Sequence, residues 1–443
     1  MASTRIPAGP FELIKAEDGT VFPYYIVPFD KEGNCEAPGT RAHLVGAASG
    51  HTDIFFFSHG WNNDWTVATE RYKSFIDGYQ RQRGRHGLAW PDGYRPLLVG
   101  IFWPSQTMAW FDSETGPDIA SHDPTTAQQA EALIADIAEG IPGARRSRFY
   151  ELAQADALDR NEAQELADML AAVHTPDPER SPGQALGAAD LLAAASHEQS
   201  AGAEPDYGAT GATAPQADAG LAAAGGWLEK LDPRNIIKPF TVWQMKDRAG
   251  VVGSRGVSSL LEDLLGRSTA RIHLFGHSYG CKVVMNALSA IKRDNLRPAY
   301  SATLFQAAFS RHAFADRLPD APGTKGGFHH ALARVTGPVV VTYSSKDAPL
   351  TRHFHLALRR NTDVGELQAA GGEDSKFGAL GGFGPYPPTQ PATYLHKPGV
   401  PYEFGDGGRV LGMESSELIH GHGDISNEAT WWLAYCNVNA RHG

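Results

Sequence analysis

Gly276-His277-Ser278-Tyr279-Gly280 is the sharpest chemical signal in the 443-residue chain. The serine stands between two glycines in a G-x-S-x-G pattern, after the apolar run RIHLFG and before the helical pattern CKVVMNALSAI. That context predicts a tight strand-to-helix corner with the serine hydroxyl at its tip, a geometry suited to nucleophilic attack. The N-terminus of the helix that follows favours the negative charge that develops in acyl transfer. Serine is a poor nucleophile at its ordinary pKa, so it needs a base, and the base needs an orienting acid. The bland alternative is a chance pattern in a loop, and the strand before and helix after weigh against it.

For a serine on such a corner, the acid and then the histidine follow along the chain. Asp347 emerges three residues after the run VVVTYS, where an acid should leave a strand end. An exposed turn aspartate is its plainer reading. Asp316 competes, but it sits in the helix-like stretch SRHAFADRL, where a solvated face is expected. The base should precede the last helix, and Ile419-His420-Gly421-His422-Gly423-Asp424-Ile425 supplies two histidines. His422 lies nearer that helix and is the expected base, with His420 as the alternative. The H-x-H pair also suits a metal, yet no further His/Asp cluster has matching spacing. No metal and no cofactor are expected.

An oxyanion needs two preorganised donors. The backbone N–H of Tyr279 is one. The other is expected at Trp61, in the loop Ser58-His59-Gly60-Trp61-Asn62-Asn63-Asp64 that leaves the run DIFFFS. A tight turn shaped by Gly60 and the two asparagines is compatible with that role.

The elements that hold these residues are legible as apolar runs ended by turn residues. Phe11–Ala16 and Val21–Pro28 predict an opening hairpin. Asp53–Ser58, Leu97–Trp103, Arg271–Gly276, Ala302–Ala308 and Val339–Ser344 predict central strands. Helical periodicity marks Thr66–Gln82, Gly256–Leu265, Tyr279–Ile291 and Asn427–Cys436. Alternation of the two predicts an α/β fold with a doubly wound, mostly parallel sheet. Residues 1–111 and 231–443 are expected to form that core. Residues 112–230 are Ala-rich, lack strand-like runs, and predict an inserted helical cap and linker. Within them Gln129–Glu139, Ser147–Leu158 and Asn161–His174 read as amphipathic helices, and Ser196–Gly226 as an Ala/Gly/Pro-rich linker.

Bulk composition narrows the function classes. Hydrophobic residues are 42% and charged residues 20%, ordinary globular usage that permits a large core. The net charge of −11 and the lack of a Lys/Arg run argue against nucleic-acid binding. Cys35, Cys281 and Cys436 are odd in number and widely spaced, which suggests neither a disulfide framework nor a zinc knuckle. No secretory signal pattern or membrane-spanning run is present, so a cytoplasmic protein is the expectation.

The segments SHGWNNDW and GHSYG, the aspartate after VVVTYSSK and the terminal HGDI together resemble the α/β-hydrolase superfamily. They are most similar to bacterial serine hydrolases with an HGWNN loop. The similarity covers roughly residues 50–110 and 235–440, including MKDRAGVVG at Met245–Gly253, and omits the Ala-rich insertion. It implies a sheet covered by helices and a Ser278–Asp347–His422 triad. One departure is Gly423, where such proteins often carry a serine before Asp-Ile.

Trp61 and Trp65, with Trp103, Met108 and Trp110, are placed either to wall an apolar acyl pocket or to pack beneath the cap. The expected substrate is a small-molecule or lipid-like carboxylic ester. An amidase, peptidase or thioesterase is the nearest alternative, and a non-catalytic binding or effector protein the next.

Overall fold

The computed structural model describes residues 6–88, 91–105, 126–174, 187–201, 231–319, 323–353, 378–404 and 409–440. Its centre is explained by one strand. Every residue of β3 (Asp53–Ser58) is buried, and successive side chains of a strand face opposite ways. Ile54 and Phe56 enter the larger core cluster, whereas Phe55 and Phe57 enter a second cluster on the other face. A strand apolar on both faces requires helices on both sides of its sheet.

The sheet has nine strands in the described residues. The others are β1 (Glu12–Lys15), β2 (Val21–Pro28), β4 (Pro96–Phe102), β5 (Arg271–His277), β6 (Ser301–Phe305), β7 (Val339–Tyr343), β8 (Thr393–Tyr394) and β9 (Val410–Glu414). They lie in the order β1-β2-β4-β3-β5-β6-β7-β9-β8. Only β1 and β2 pair antiparallel; every other pairing is parallel. The chain is therefore an α/β protein with a mostly parallel sheet, as the alternation of runs predicts.

Helix α1 (Pro38–Ala47) leads to β3, and α2 (Trp65–Arg85) follows it. Asp64 caps α2 by accepting the Val67 N–H at 2.7 Å, which fixes where the loop after β3 ends. Between β4 and the next sheet strand come α3 (Thr126–Gly140), α4 (Gly143–Ala153), α5 (Arg160–Val173) and α6 (Ala188–Ala201). The expected helix at Ser147–Leu158 stops earlier, because Leu158 instead exchanges backbone hydrogen bonds with Leu231 at 2.7 and 2.9 Å. Helix α6 runs into the start of the expected linker, most of which lies outside the described residues, as do residues 112–125.

Helix α7 (Arg234–Val251), a wide-turned segment Val252–Val257 and α8 (Ser258–Arg267) follow as one rod. Only Gly256–Leu265 of this rod is marked by helical periodicity in the sequence; Pro239 stands inside α7 and interrupts its pattern. Leu133, Phe149, Leu166, Leu170 and Leu191 of α3–α6 share one core cluster with Ile236, Phe240 and Trp243 of α7. Polar ties reinforce the contact. Arg248 of α7 bonds Asp136 of α3 at 3.0 Å and the Pro104 carbonyl at 3.2 Å. His174, just after α5, stands 2.7 Å from Asp247, with both side chains almost wholly buried.

Helix α9 (Tyr279–Ser289) follows β5, and α10 (Glu428–Asn439) closes the described chain. Helices α7–α9 cover one face of the sheet, and α2 with α10 covers the other. Among the described residues no helix is long and apolar enough to cross a membrane.

Candidate active site

Ser278 stands between β5 and α9 with φ 55° and ψ −125°. A residue with a Cβ rarely adopts that backbone, and holding it there costs about 1–3 kcal/mol. The surroundings leave it little choice. Its N–H donates to the Phe305 carbonyl at 3.1 Å, and its carbonyl accepts N–H groups from Cys281 at 3.1 Å and Ala308 at 3.2 Å. Gly280 completes the corner: a Cβ there would lie 2.1 Å from the Ser58 carbonyl oxygen. The second glycine of the motif therefore lets α9 begin against the end of β3.

The acid and base arrive from other strand ends. His422 Nε2 lies 2.8 Å from Ser278 Oγ, and His422 Nδ1 lies 2.8 Å from Asp347 Oδ2. A carboxylate oxygen only accepts, so Nδ1 carries the proton and Nε2 offers a lone pair to the serine hydroxyl. Asp347 is fully buried, and its Oδ1 accepts the Leu350 N–H at 3.1 Å. Ser278 itself is only 3% exposed. The Ser278, Asp347 and His422 expected from the sequence converge here.

The loop after β3 packs directly on the serine. A Cβ on Gly60 would lie 2.7 Å from Ser278 Cβ, so only glycine lets the backbone pass so close. Asn63 stiffens this loop by donating its side-chain amide to the Gly60 carbonyl at 3.0 Å and the Trp61 carbonyl at 2.8 Å. Asn62 takes a positive φ of 56°, and its N–H donates to the Ser105 carbonyl at 2.8 Å. The Trp61 and Tyr279 rings meet with centroids 5.9 Å apart. Both expected oxyanion donors thus belong to backbone that borders Ser278.

His59 is structural. Its ring stacks on Trp103 at 5.4 Å. Nδ1–H donates to the Gly60 carbonyl at 2.8 Å, and Nε2 accepts the Trp103 N–H at 3.2 Å. Burial drives its pKa down to about 3, so the ring is neutral and both nitrogens keep these roles.

Several alternatives separate cleanly. His420 reaches Lys346 Nζ at 3.2 Å at the surface, while its neighbour but one makes the serine contact. Asp316 is two-thirds exposed and pairs with Lys325 at 3.2 Å, on turns rather than on the expected helix-like stretch. Trp103 is fully buried against His59, and Trp65 packs edge-on against Phe102 with centroids 4.9 Å apart. Trp103 belongs to the larger core cluster, and half-buried Trp65 packs against the second. Met108 and Trp110 lie outside the described residues. Beside Gly423, Asp424 braces the turn by accepting the His420 N–H at 3.2 Å and the Asn427 side-chain amide at 3.1 Å.

Comparison with known proteins adds nothing to this geometry, since no protein-family model, curated protein or solved structure matches the chain. Among the described residues, no group of three or more His, Cys, Asp and Glu could hold a metal ion. A second Ser-His-Asp set does occur. His273 bonds Ser301 Oγ at 2.8 Å and Asp53 Oδ1 at 3.0 Å. It lies near the starts of β3, β5 and β6, opposite the corner, and all three residues are at most 1% exposed. Ser301 lies in regular strand backbone with no strained corner, and Asp53 also pairs with Arg271 at 2.7 Å, so this set is a core hydrogen-bond network.

Two supporting side chains carry no clear signal in the sequence. His277, the residue before the serine, has its Nε2–H donating to the His422 carbonyl at 2.7 Å. Its Nδ1 lies 3.4 Å from Arg71 Nη1. Burial first, then the nearby His422 and the Arg71 cation, hold its pKa well below the ordinary value. Gln306, at the end of β6, is fully buried with a positive φ of 46°. Its only local cue is a glutamine inside the apolar stretch LFQAAF.

Proposed function

We propose that this chain is a serine hydrolase of the α/β-hydrolase type that cleaves a carboxylic ester through an acyl-enzyme. The observation that carries the reading is the continuous relay from Ser278 Oγ through His422 to Asp347, with 2.8 Å at each step. The strained corner at Ser278 supports it, as does the chain order of serine, acid and histidine. Helices α3–α6, inserted after β4, take the part of a cap in this reading.

Each group then has a defined task. His422 Nε2 takes the Ser278 proton as Oγ attacks the ester carbonyl carbon, and Asp347 stabilises the imidazolium without itself being protonated. The carbonyl oxygen, now negative, is received by the N–H groups of Trp61 and Tyr279; one such donor is worth roughly 2.7–4 kcal/mol of barrier. As the tetrahedral adduct collapses, His422 gives its proton to the leaving alcohol oxygen. Water, deprotonated by His422, then attacks the acyl-serine; collapse expels Ser278 Oγ, which takes the proton back from His422 as the acid leaves.

Labelling the purified chain with a fluorophosphonate, followed by peptide mapping, tests the nucleophile. Adduct on Ser278 is the expected result, and an unlabelled chain would refute the reading. A panel of p-nitrophenyl esters against the matching anilides tests the substrate class, with turnover of esters expected. Faster turnover of anilides would favour an amidase.

A further inference from the structure

Gln306 joins the acid and the base loop through one carboxamide. Its Nε2 lies 2.8 Å from Asp347 Oδ2 and 2.9 Å from the Gly421 carbonyl oxygen. Both partners only accept, so the amide must turn its NH2 towards them and its orientation is unambiguous. Asp347 Oδ2 is also the oxygen that receives His422 Nδ1–H. The other carboxylate oxygen takes the Leu350 N–H. Three donors therefore leave the carboxylate no freedom to rotate.

The backbone at Gln306 is as constrained as its side chain. Its φ of 46° lies in the left-handed region, unusual for a residue with a Cβ. The Gln306 N–H donates to Thr342 Oγ1 of β7 at 3.2 Å. Leu304, Phe305, Ala307 and Ala308 around it are all buried, an environment where an apolar side chain would pack without polar cost. Among the described residues, Gln306 Oε1 is buried with no hydrogen-bond partner. Both N–H groups of the carboxamide are used, one on the acid and one on the base loop.

We propose that Gln306 is a positioning residue that sets the acid and the base in one frame. The inference rests on the hydrolase reading above and adds the device that holds its relay in register. One N–H pins the carboxylate that orients His422. The other pins the carbonyl immediately before His422, while His277 pins the carbonyl of His422 itself at 2.7 Å. The imidazole is thereby fixed from its backbone and from its Nδ1 partner together.

The test compares Gln306→Met, which keeps length and bulk but has no donor, with Gln306→Glu, which regains one donor when protonated. Both are assayed against the full-length parent on a p-nitrophenyl ester across pH, with thermal melts to verify folding. For Gln306→Met, kcat is expected to fall roughly 10- to 100-fold with KM within about threefold, the pattern of misplaced chemistry rather than lost binding. For Gln306→Glu, kcat relative to the parent should rise as pH falls, because a protonated carboxyl can donate to Asp347 Oδ2. Unchanged kcat in Gln306→Met, a change confined to KM, no pH-dependent recovery in Gln306→Glu, or loss of folding in both variants would each overturn the proposal. If the parent chain neither labels at Ser278 nor turns over ester, the hydrolase reading itself has failed, an outcome distinct from all of these.

Discussion

Ser278 Oγ and His422 Nε2 are 2.8 Å apart although 144 positions separate them in the chain. The contact joins a strained corner to a loop that is held independently. Function and stability should therefore respond in opposite directions at Ser278. Replacing it by Ala or by Gly should abolish turnover and fluorophosphonate labelling alike. Glycine adopts φ 55°, ψ −125° without a Cβ penalty, so Ser278→Gly should melt higher than Ser278→Ala. The gain should be a fraction of the roughly 1–3 kcal/mol of strain. Equal melting temperatures would show that the corner is unstrained.

The two histidines of the terminal loop should behave unequally. His422→Ala removes the ring whose Nε2 lies 2.8 Å from Ser278 Oγ, and kcat should drop by about three orders of magnitude or more. His420 touches Lys346 at the surface, so His420→Ala should keep activity within about threefold. A larger loss from the second substitution would reassign the base.

Asp347→Asn keeps the shape of the acid and changes only its chemistry. An amide that turns its NH2 towards His422 Nδ1, with the Gln306 carboxamide turning its Oε1 to meet it, forces the proton onto Nε2, where it faces the serine and blocks general-base action. A fall in kcat of roughly 10⁴ is expected. Activity within tenfold of the parent would mean that the carboxylate does not set the tautomer.

Two buried neutral histidines predict how stability depends on pH. His277 is held well below 6.5, and His59 is held at about 3. Each folded pKa lies below its unfolded value, so the unfolded chain binds the extra protons as pH falls. Their share of stability is present above about pH 6.5 and is lost progressively below it, by up to about 1.4 kcal/mol per pH unit for each ring. Gln has a donor near the position of Nε2, so His277→Gln should retain the bond to the His422 carbonyl. Its melting temperature should decline less between pH 7 and 5 than that of the parent. A parallel decline in both would exclude His277 as a contributor.

The chain by itself determined what depends on neighbours in sequence. RIHLFG followed by GHSYG and CKVVMNALSAI specifies strand, corner and helix, because glycine spacing and apolar runs act within a few residues. The central strands were legible for the same reason, since a strand buried on both faces is a continuous apolar run. The five residues of β9 and the two of β8 carried too little pattern to show. Helix α7 carries Pro239 within it, which interrupts the helical pattern.

Tertiary structure decided everything that depends on where strand ends meet. His420 and His422 sit two residues apart in near-identical local sequence, and only the packing of the loop against Ser278 and Asp347 separates them. The role of Gln306 arises because β6 pairs beside β7, with Phe305 opposite Thr342, which brings its amide to an acid 41 positions later and a carbonyl 115 positions later. No residue near Gln306 in the chain announces either partner. Hydrogen bonds act over about 3 Å, and the register of the parallel strands, not their spacing in sequence, is what closes that distance.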